Sequence, residues 1–358
     1  MQEAEDREVT EQSAPISEYV PEWYEGPPHV RLIALASAKW MSQCLYALAK
    51  LRVADLIAGG CDRVAGLAEA TGTHPDRLAR LLRAAAALGL IRSAAPGQFA
   101  LAELGDLLRA GRPDGLRDFV LYMGDEAMWQ PFARLDESVR TGVPGYELVH
   151  GAPLFSDLAR RPLLADLYQR AWAPFAAELG AELASSYDFA DVRHVVDVGG
   201  GTGLFLIMLL RAHTHLSGTL IDRPEALTVA RPIVESSGLG GRLQLRAGEL
   251  PDPPEVAADC FVLKNVLHCF DDETSSAALH GLRAVMPPGA RLLVIETIPG
   301  DGDDFDWGKL IDIEVMCTTG GRERTSQEWS ALLGDSGFGI SGITPATPPQ
   351  WVIEAFSR

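Results

Sequence analysis

The stretch His194-Val195-Val196-Asp197-Val198-Gly199-Gly200-Gly201-Thr202-Gly203 decides how this chain is read. A β-branched run ends at an acid, turns through glycines and passes into the apolar segment Leu204-Phe205-Leu206-Ile207-Met208-Leu209-Leu210. That order describes a buried strand, a tight loop and the opening of a helix. In open α/β sheets a nucleotide-like ligand sits at such a turn, because glycine lets its atoms come close to the backbone. The glycine spacing narrows the ligand. A dinucleotide fingerprint, G-x-G-x-x-G, counted from Gly199 needs a glycine where Leu204 stands, so it fails. A phosphate-binding lysine loop is absent as well. The pattern present is D-x-G-x-G-x-G.

The next expected strand, Gly218-Thr219-Leu220-Ile221, ends at Asp222. An acid at the tip of the second strand, roughly 20 residues past the glycines, is placed to accept both hydroxyls of a ribose. Asp222 could also cap the helix that opens at Pro224. Together the two elements describe an adenosine pocket, and the loop resembles that of S-adenosylmethionine (SAM)-dependent methyltransferases.

Composition agrees. The chain has 358 residues, enough for two domains, and 47% of them are hydrophobic, enough for a large core. A net charge of −18 argues against nucleic acid as a partner. The five cysteines, Cys44, Cys61, Cys260, Cys269 and Cys317, form no C-x-x-C pair, which points to reduced thiols rather than a disulfide scaffold or a zinc site. The N-terminus lacks a basic start followed by an apolar stretch, and no run is expected to approach membrane-spanning length. These features imply a cytoplasmic protein without a membrane partner.

Four segments are expected. Residues 1–28 carry eight acids and one base, reading as a flexible arm ordered at most near Trp23 and Tyr24. Residues 29–112 open with Leu45, Leu48, Ala49 and Val53 at helical spacing. A helix from Val64 stops at Gly72. A second opens at Thr73-His74-Pro75-Asp76, with Thr73 as cap, and buries Leu78, Leu81, Leu82, Ala85 and Leu88. Strands around Leu90–Arg92 and Gln98–Ala100 then flank Pro96-Gly97. Helix, turn, helix and hairpin make a winged helix. Arg77, Arg80 and Arg83 could face phosphates, but in so acidic a chain a solvated face is the better reading; Ala84 to Ala87 offer a dimerisation surface instead. Residues 113–190 read as helical and aromatic, mostly core, with the remainder able to line a pocket for a flat apolar substrate. In residues 191–358 strands at 194–198, 218–222, 242–247, 258–266 and 291–298 alternate with helices, giving a parallel, doubly wound sheet closed by an antiparallel pair near 338–344 and 351–356.

Two polar residues fall at strand ends, where ligands bind in such sheets. His268 follows Phe261–Val266, and Glu296 follows Arg291–Ile295. Neighbouring strands would bring imidazole and carboxylate into one mouth, a general-base arrangement in which the acid fixes the tautomer. Glu323, in Gly320-Gly321-Arg322-Glu323-Arg324-Thr325, reads from spacing alone as a surface charge before a helix whose capping box is Thr325 and Glu328.

From about residue 35 onward the chain resembles the small-molecule O-methyltransferase family that includes plant caffeate and flavonoid enzymes, hydroxyindole O-methyltransferase and bacterial natural-product methyltransferases. Asp197–Gly203, Ile221-Asp222-Arg223-Pro224, Leu263-Lys264-Asn265-Val266-Leu267-His268 and Gly320–Thr325 carry the match, in the family's order and at its separations. The resemblance implies a Rossmann-like, SAM-binding C-terminal domain and an α-helical winged-helix N-terminal domain that forms a homodimer. It places the catalytic base at His268 and the orienting acids at Glu296 and Glu323, overturning the spacing-based reading of Glu323. It places cofactor contacts at Asp197, Gly199, Gly200, Gly201, Asp222, Arg223, Glu249, Leu250 and Lys264, and implies no metal. Met123, Trp129, Phe155, Trp172, Phe175, Cys269 and Met316 are the expected walls of the substrate pocket.

Two positions depart from the family. Cys269 and Phe270 stand where an Asp and a further aromatic usually follow the histidine, so a more apolar pocket is expected. Glu249 replaces an Asp, one methylene longer but still an acceptor. The reading is methyl transfer from SAM to a hydroxyl, phenolic by expectation, of a small aromatic metabolite. The alternatives are a methyltransferase-like enzyme redirected to hydroxylation, decarboxylation or cyclisation with SAM retained, and a winged-helix regulator that senses a ligand.

Overall fold

A computed structural model describes residues 26–358, so residues 1–25 of the acidic arm, with Trp23 and Tyr24, lie outside the described residues. The first helix, α1 (Pro28–Lys50), starts on a proline at its first turn and is followed at once by α2 (Val53–Ala58). Arg52 sits between them in the left-handed region at φ 56°, which breaks what the spacing of Leu45, Leu48, Ala49 and Val53 suggested was one helix. Contrary to expectation, α1 is long and apolar enough, by length and composition alone, to cross a membrane. Its C-terminal half buries Cys44, Leu48 and Ala49 in the core of the N-terminal region, while Val30, Leu32, Ile33, Leu35 and Trp40 stay exposed.

Helices α3 (Val64–Thr71) and α4 (Pro75–Ala87) follow, and then an antiparallel hairpin of β1 (Ile91–Ala95) and β2 (Gln98–Leu101). Gly72, at φ 65°, ends α3 as expected. The cap of α4 is a correction: His74, not Thr73, is its N-cap and supplies no side-chain bond. The Thr73 hydroxyl lies 2.8 Å from that of Thr71, so it is engaged across the turn and not on α4. Leu78, Leu82 and Ala85 are buried, Leu81 and Leu88 only partly, and Arg77, Arg80 and Arg83 face solvent.

Between residues 117 and 186 six helices form an aromatic-rich layer, ending in the long helix Pro162–Ser186. The main sheet comprises β3 (His194–Val198), β4 (Ser217–Asp222), β5 (Leu243–Ala247), β6 (Cys260–Lys264), β7 (Arg291–Thr297), β8 (Phe338–Pro345) and β9 (Gln350–Ser357). Their spatial order is β5-β4-β3-β6-β7-β9-β8, the first five parallel and β9 antiparallel to both its neighbours. The order reverses between β3 and β6, and a crevice opens there beyond the carboxyl ends of the strands. Apolar side chains on both faces explain the near-continuous hydrophobic runs of the central strands: Val195, Val262 and Leu293 pack on one side, Val196, Phe261 and Leu292 on the other. Strand β6 is shorter than the expected 258–266. It stops at Lys264 because Asn265 takes φ 52° and turns the chain out of the sheet.

The long helix Pro162–Ser186 joins the aromatic layer to the sheet. It lies on Leu204–Ala212, the helix after the glycine loop, and Gly180 makes the contact close: a Cβ there would stand 2.6 Å from the Phe205 carbonyl oxygen. Gly180→Ala should therefore destabilise by about 1–3 kcal/mol through overpacking against backbone. Gly240→Ala, where a Cβ meets nothing within 4 Å, should leave urea denaturation nearly unchanged. Equal midpoints for the two variants would contradict this packing.

Candidate active site

The glycine loop forms one wall of the crevice. Gly199 and Gly201 hold φ of 77° and 60°, a region that disfavours side chains. A Cβ on Gly199 would lie 2.7 Å from Val266, and one on Gly201 would lie 2.8 Å from the Gln169 side chain, so the loop is fitted against both neighbouring elements. Gly200 is likewise closed in by the Asp197 side chain and Leu220. Asp197 is buried and neither carboxylate oxygen has a partner; burial pushes its pKa up to about 7, with Lys264 acting against the rise. Burial also lowers the Lys264 ammonium, with Asp197 and Glu296 opposing it.

Asp222, at the tip of β4, accepts from the Gly201 amide at 2.8 Å and from the Arg223 amide at 2.7 Å. It does not cap the following helix; Arg223 occupies the N-cap and no side chain caps it. Burial raises the Asp222 carboxyl while these two bonds restrain the shift. The Arg223 guanidinium covers the Phe155 ring, 4.9 Å from its centroid. The Gly248 amide donates to the Asp222 carbonyl at 3.1 Å, which brings exposed Glu249 and half-buried Leu250 to the same rim. An orphaned buried carboxylate, a glycine cradle and a ribose-type acid fit an adenosyl cofactor.

The opposite wall is the turn Val266–Phe270, which carries His268. Glu296, at the end of β7 and wholly buried, accepts through one oxygen from the amides of Val266 (3.0 Å), Leu267 (2.9 Å) and His268 (3.4 Å). The carbonyls of this turn are held from the other side. Arg324, also wholly buried, donates to the carbonyls of Leu267 (3.1 Å) and Phe270 (2.9 Å), and the Arg322 amide donates to that of His268 at 2.9 Å. Gly321 packs directly on the turn, where a Cβ would collide with the His268 carbonyl. The Gly320–Thr325 motif is thus the clamp of the histidine turn.

The His268 Nδ1 donates to Glu323 Oε1 at 2.7 Å and lies 3.7 Å from Glu296 Oε2. That bond fixes the tautomer of the neutral ring, in which Nδ1 carries the proton and Nε2 is the basic atom. Burial alone would lower the imidazole pKa, but Cys269 and the carboxylates of Glu296 and Glu323 outweigh it and hold it well above the ordinary value. The Glu323 amide in turn donates to Asp312 at 2.8 Å. His268, Glu296 and Glu323 present donor atoms within 4.8 Å of one another, a set chemically able to hold a divalent ion. The 2.7 Å contact is a direct hydrogen bond, shorter than the roughly 3.0–3.4 Å between donors sharing an ion at 2.0–2.2 Å.

Above these walls lies the aromatic layer. Trp172 is its hub, with ring centroids 5.5 Å from Phe119, 5.9 Å from Phe175, 6.3 Å from Tyr122 and 6.5 Å from Tyr168, while Tyr168 lies 5.5 Å from Tyr122 and 6.1 Å from Phe155. Met123 packs in the same cluster, Cys269 is buried and Met316 half-buried. Trp129 is not brought to this cluster and remains 39% exposed. Tyr168, Asp312, Glu314 and Arg324 are site residues the sequence reading did not single out. Arg324 and Asp312 act through long-range contacts that no local pattern reveals, whereas an acid at Glu314 within the mostly apolar helix Trp307–Thr318 was a visible signal.

A crevice fitted to an adenosyl cofactor opens beside a carboxylate-paired imidazole, the arrangement of a group-transfer enzyme. The O-methyltransferase domain family matches residues 132–339, and the O-methyltransferase dimerisation domain family matches residues 33–111. An 8-amino-8-demethylriboflavin N,N-dimethyltransferase from Streptomyces davaonensis is 36% identical over 87% of this chain and 90% of its own length. The aclacinomycin 10-hydroxylase RdmB from Streptomyces purpurascens is 34% identical over 82% of this chain and 80% of its own. A solved O-methyltransferase from neocarzinostatin biosynthesis, in complex with SAM and 2-hydroxy-5-methyl naphthoic acid, superposes with a TM-score of 0.77 at 32% identity, covering 89% of this chain and 96% of that one. The chain belongs to the SAM-dependent O-methyltransferase family.

If the two carboxylates hold the imidazolium, Glu323→Gln must lower the His268 pKa, since an amide favours the neutral ring over the charged one. Titrating the His268 ring by NMR checks this; an unchanged or higher pKa in the variant would contradict the assignment.

Proposed function

We propose that this enzyme methylates a phenolic hydroxyl of a small aromatic natural product, with SAM as donor and His268 as general base. When bound, SAM supplies an electrophilic methyl on its sulfonium. The observation that carries the reading is the bond from His268 Nδ1 to Glu323, which leaves Nε2 as the free basic atom on a turn clamped from both sides. A phenol has a pKa of ~10, so an imidazole raised above its usual ~6.5 is a stronger partner for its proton. His268 would take that proton while Glu323 and Glu296 hold the resulting imidazolium. Asp222, the glycine loop and Glu249 would hold the adenosyl group, and the rings of Phe155, Tyr168 and Trp172 would hold a flat acceptor in line. Orientation of this kind contributes much of the acceleration in a displacement between two bound partners.

Similarity to a hydroxylase supports a second reading, a non-methylating reaction on the same scaffold. Release of S-adenosylhomocysteine (SAH) across a panel of mono- to tetracyclic phenols separates the two. We expect turnover by the wild type and a loss of about 10²–10⁴-fold in His268→Ala with SAM binding retained. Acceptor consumed without SAH favours the second reading; equal turnover in the variant removes His268 as base. The acid limb of kcat/KM should lie above the usual imidazole value of ~6.5, activity rising as pH carries His268 to its neutral form.

The proposed assembly is a homodimer built through the N-terminal domain. Helix α1 supports it: Leu32 is 68% and Trp40 70% exposed on a helix that falls largely within the dimerisation match. A second copy is a better cover for such a surface than water. Ile33→Asp with Trp40→Asp should shift sedimentation from dimer to monomer, and an unaltered sedimentation coefficient would place the interface elsewhere.

A further inference from the structure

Gln350 opens β9 and lies beyond the residues matched by the O-methyltransferase domain family. Its backbone is fixed at the tip of the β8–β9 hairpin: its amide donates to the Thr347 carbonyl at 2.9 Å, and its carbonyl accepts from the Ala346 amide at 3.0 Å. The tip is anchored in turn on the long helix Pro162–Ser186. The Thr347 hydroxyl donates to the Glu182 carboxylate, and Ala346 packs in the apolar cluster that holds Leu179 and Leu183. Gln350 is paired with Thr297 of β7, and its side chain reaches across the end of that strand to Asn265, which follows β6. There the Gln350 Nε2 donates to Asn265 Oδ1 at 2.6 Å. Among the described residues Asn265 makes no other side-chain hydrogen bond.

The histidine turn starts from Asn265. Its amide still follows the sheet, donating to the Ile295 carbonyl at 2.9 Å, and its φ of 52° then swings the next three amides onto Glu296. Asparagine is enriched among residues that enter this region, yet for any residue but glycine the region is sparsely populated and is held by the surroundings. We propose that Gln350 is a positioning residue for His268: its bond to Asn265 holds the pivot of the histidine turn, and so sets the imidazole against Glu296 and Glu323. The same hairpin tip grips the helix that carries Tyr168 and Trp172, so the histidine turn and the aromatic layer are set relative to each other through residues 346–350. The consequence for catalysis rests on the reading of His268 as base, whereas the contact itself does not.

The test compares the wild type, Gln350→Leu, Asn265→Gly and the double variant, all as the full chain. Two readouts need no acceptor: the pKa of the His268 ring by NMR, and deuterium exchange of the amides in residues 265–270. Gln350→Leu should speed exchange at Val266, Leu267 and His268 roughly three- to tenfold, the scale of one hydrogen bond. A loosened turn holds the imidazole less closely to its two carboxylates, so the His268 pKa should fall towards the ordinary value by about half a pH unit or more. Asn265→Gly cuts the same bond from the other end, with a residue that accepts the left-handed conformation, and should show both changes. In that background Gln350→Leu should add nothing further, since the two residues act as one unit. Ser341→Ala is the control within the hairpin: it removes a hydroxyl bond to the Glu354 carbonyl and should leave His268 unmoved even where it lowers the melting temperature. No change in either single variant, a full further change in the double variant, or the same response in Ser341→Ala overturns the inference. The stated His268 responses with SAH formation from the phenol panel unaltered uphold the positioning role and overturn His268 as base instead.

Discussion

Three backbone amides converging on one buried carboxylate oxygen are the constraint on which the site depends. Glu296 ends β7 inside the protein, where an isolated charge is costly, and no salt bridge to a lysine or arginine offsets it. The amides of Val266, Leu267 and His268 meet it instead, forming an anion-holding concavity of the kind that successive N–H groups make when a chain turns sharply. The left-handed conformation of Asn265 produces that turn immediately after β6. The carboxylate thus stabilises the same backbone that places His268, and the histidine turn in turn makes burial of the carboxylate tolerable. Neither feature is stable in this form without the other.

Arg324 completes the arrangement with the opposite polarity. A turn whose amides are drawn toward Glu296 exposes its carbonyls on the far side, and a buried guanidinium with five donors is suited to collect them. It reaches the carbonyls of Leu267 and Phe270, the Ser275 hydroxyl and the Asp272 carboxylate, and its guanidinium carbon lies 5.2 Å from the centre of the Trp329 ring. His268 is therefore held by two networks anchored in different parts of the chain, one in the sheet and one in the segment before the helix Ser326–Asp335. The cofactor wall shares this anchoring, since Val266 of the same turn packs against Gly199. Glycine loop and histidine turn are fixed relative to each other by direct contact.

Local patterns were legible in proportion to how local their causes are. The strand, glycine loop and helix at 194–212 follow from residues adjacent in sequence, as do the stop at Gly72 and the capping box of Thr325 and Glu328. His268 and Glu296 could be paired because consecutive parallel strands tend to be neighbours, and β6 and β7 are. Glu323 could not be recovered from spacing: its partner is 55 positions away and reached by a loop, so only the family resemblance brought it to the site. Thr73 was misread because two threonine hydroxyls two positions apart satisfy each other across the turn. The length of α1 was misread because Lys39, Ser37 and Ser42 interrupt its apolar residues, so that no continuous apolar run marks how far the helix reaches. Trp129 shows the limit of reasoning from residue type, since an aromatic on a short helix can face out as readily as in.

The substitution of Cys269 for an acid after the histidine led to an expected apolar pocket, and the fold qualifies that expectation. Cys269 is buried on the turn, so that side of the space is indeed less polar. The helix Trp307–Thr318 nevertheless carries an acid, Glu314, whose charge acts on His268 and on the tyrosines Tyr122 and Tyr168. Moving an acid from the catalytic turn to a separate helix changes what it can do. On the turn, a carboxylate beside His268 would join the two already there and favour the imidazolium still more, leaving less neutral base at a given pH. On the helix, Glu314 is itself pushed up by burial to about 7, so near neutral pH it adds less negative charge beside His268 than a fully ionised carboxylate would. The imidazole of His268 is thereby left closer to the balance between its neutral and charged forms than an acid on the turn would leave it.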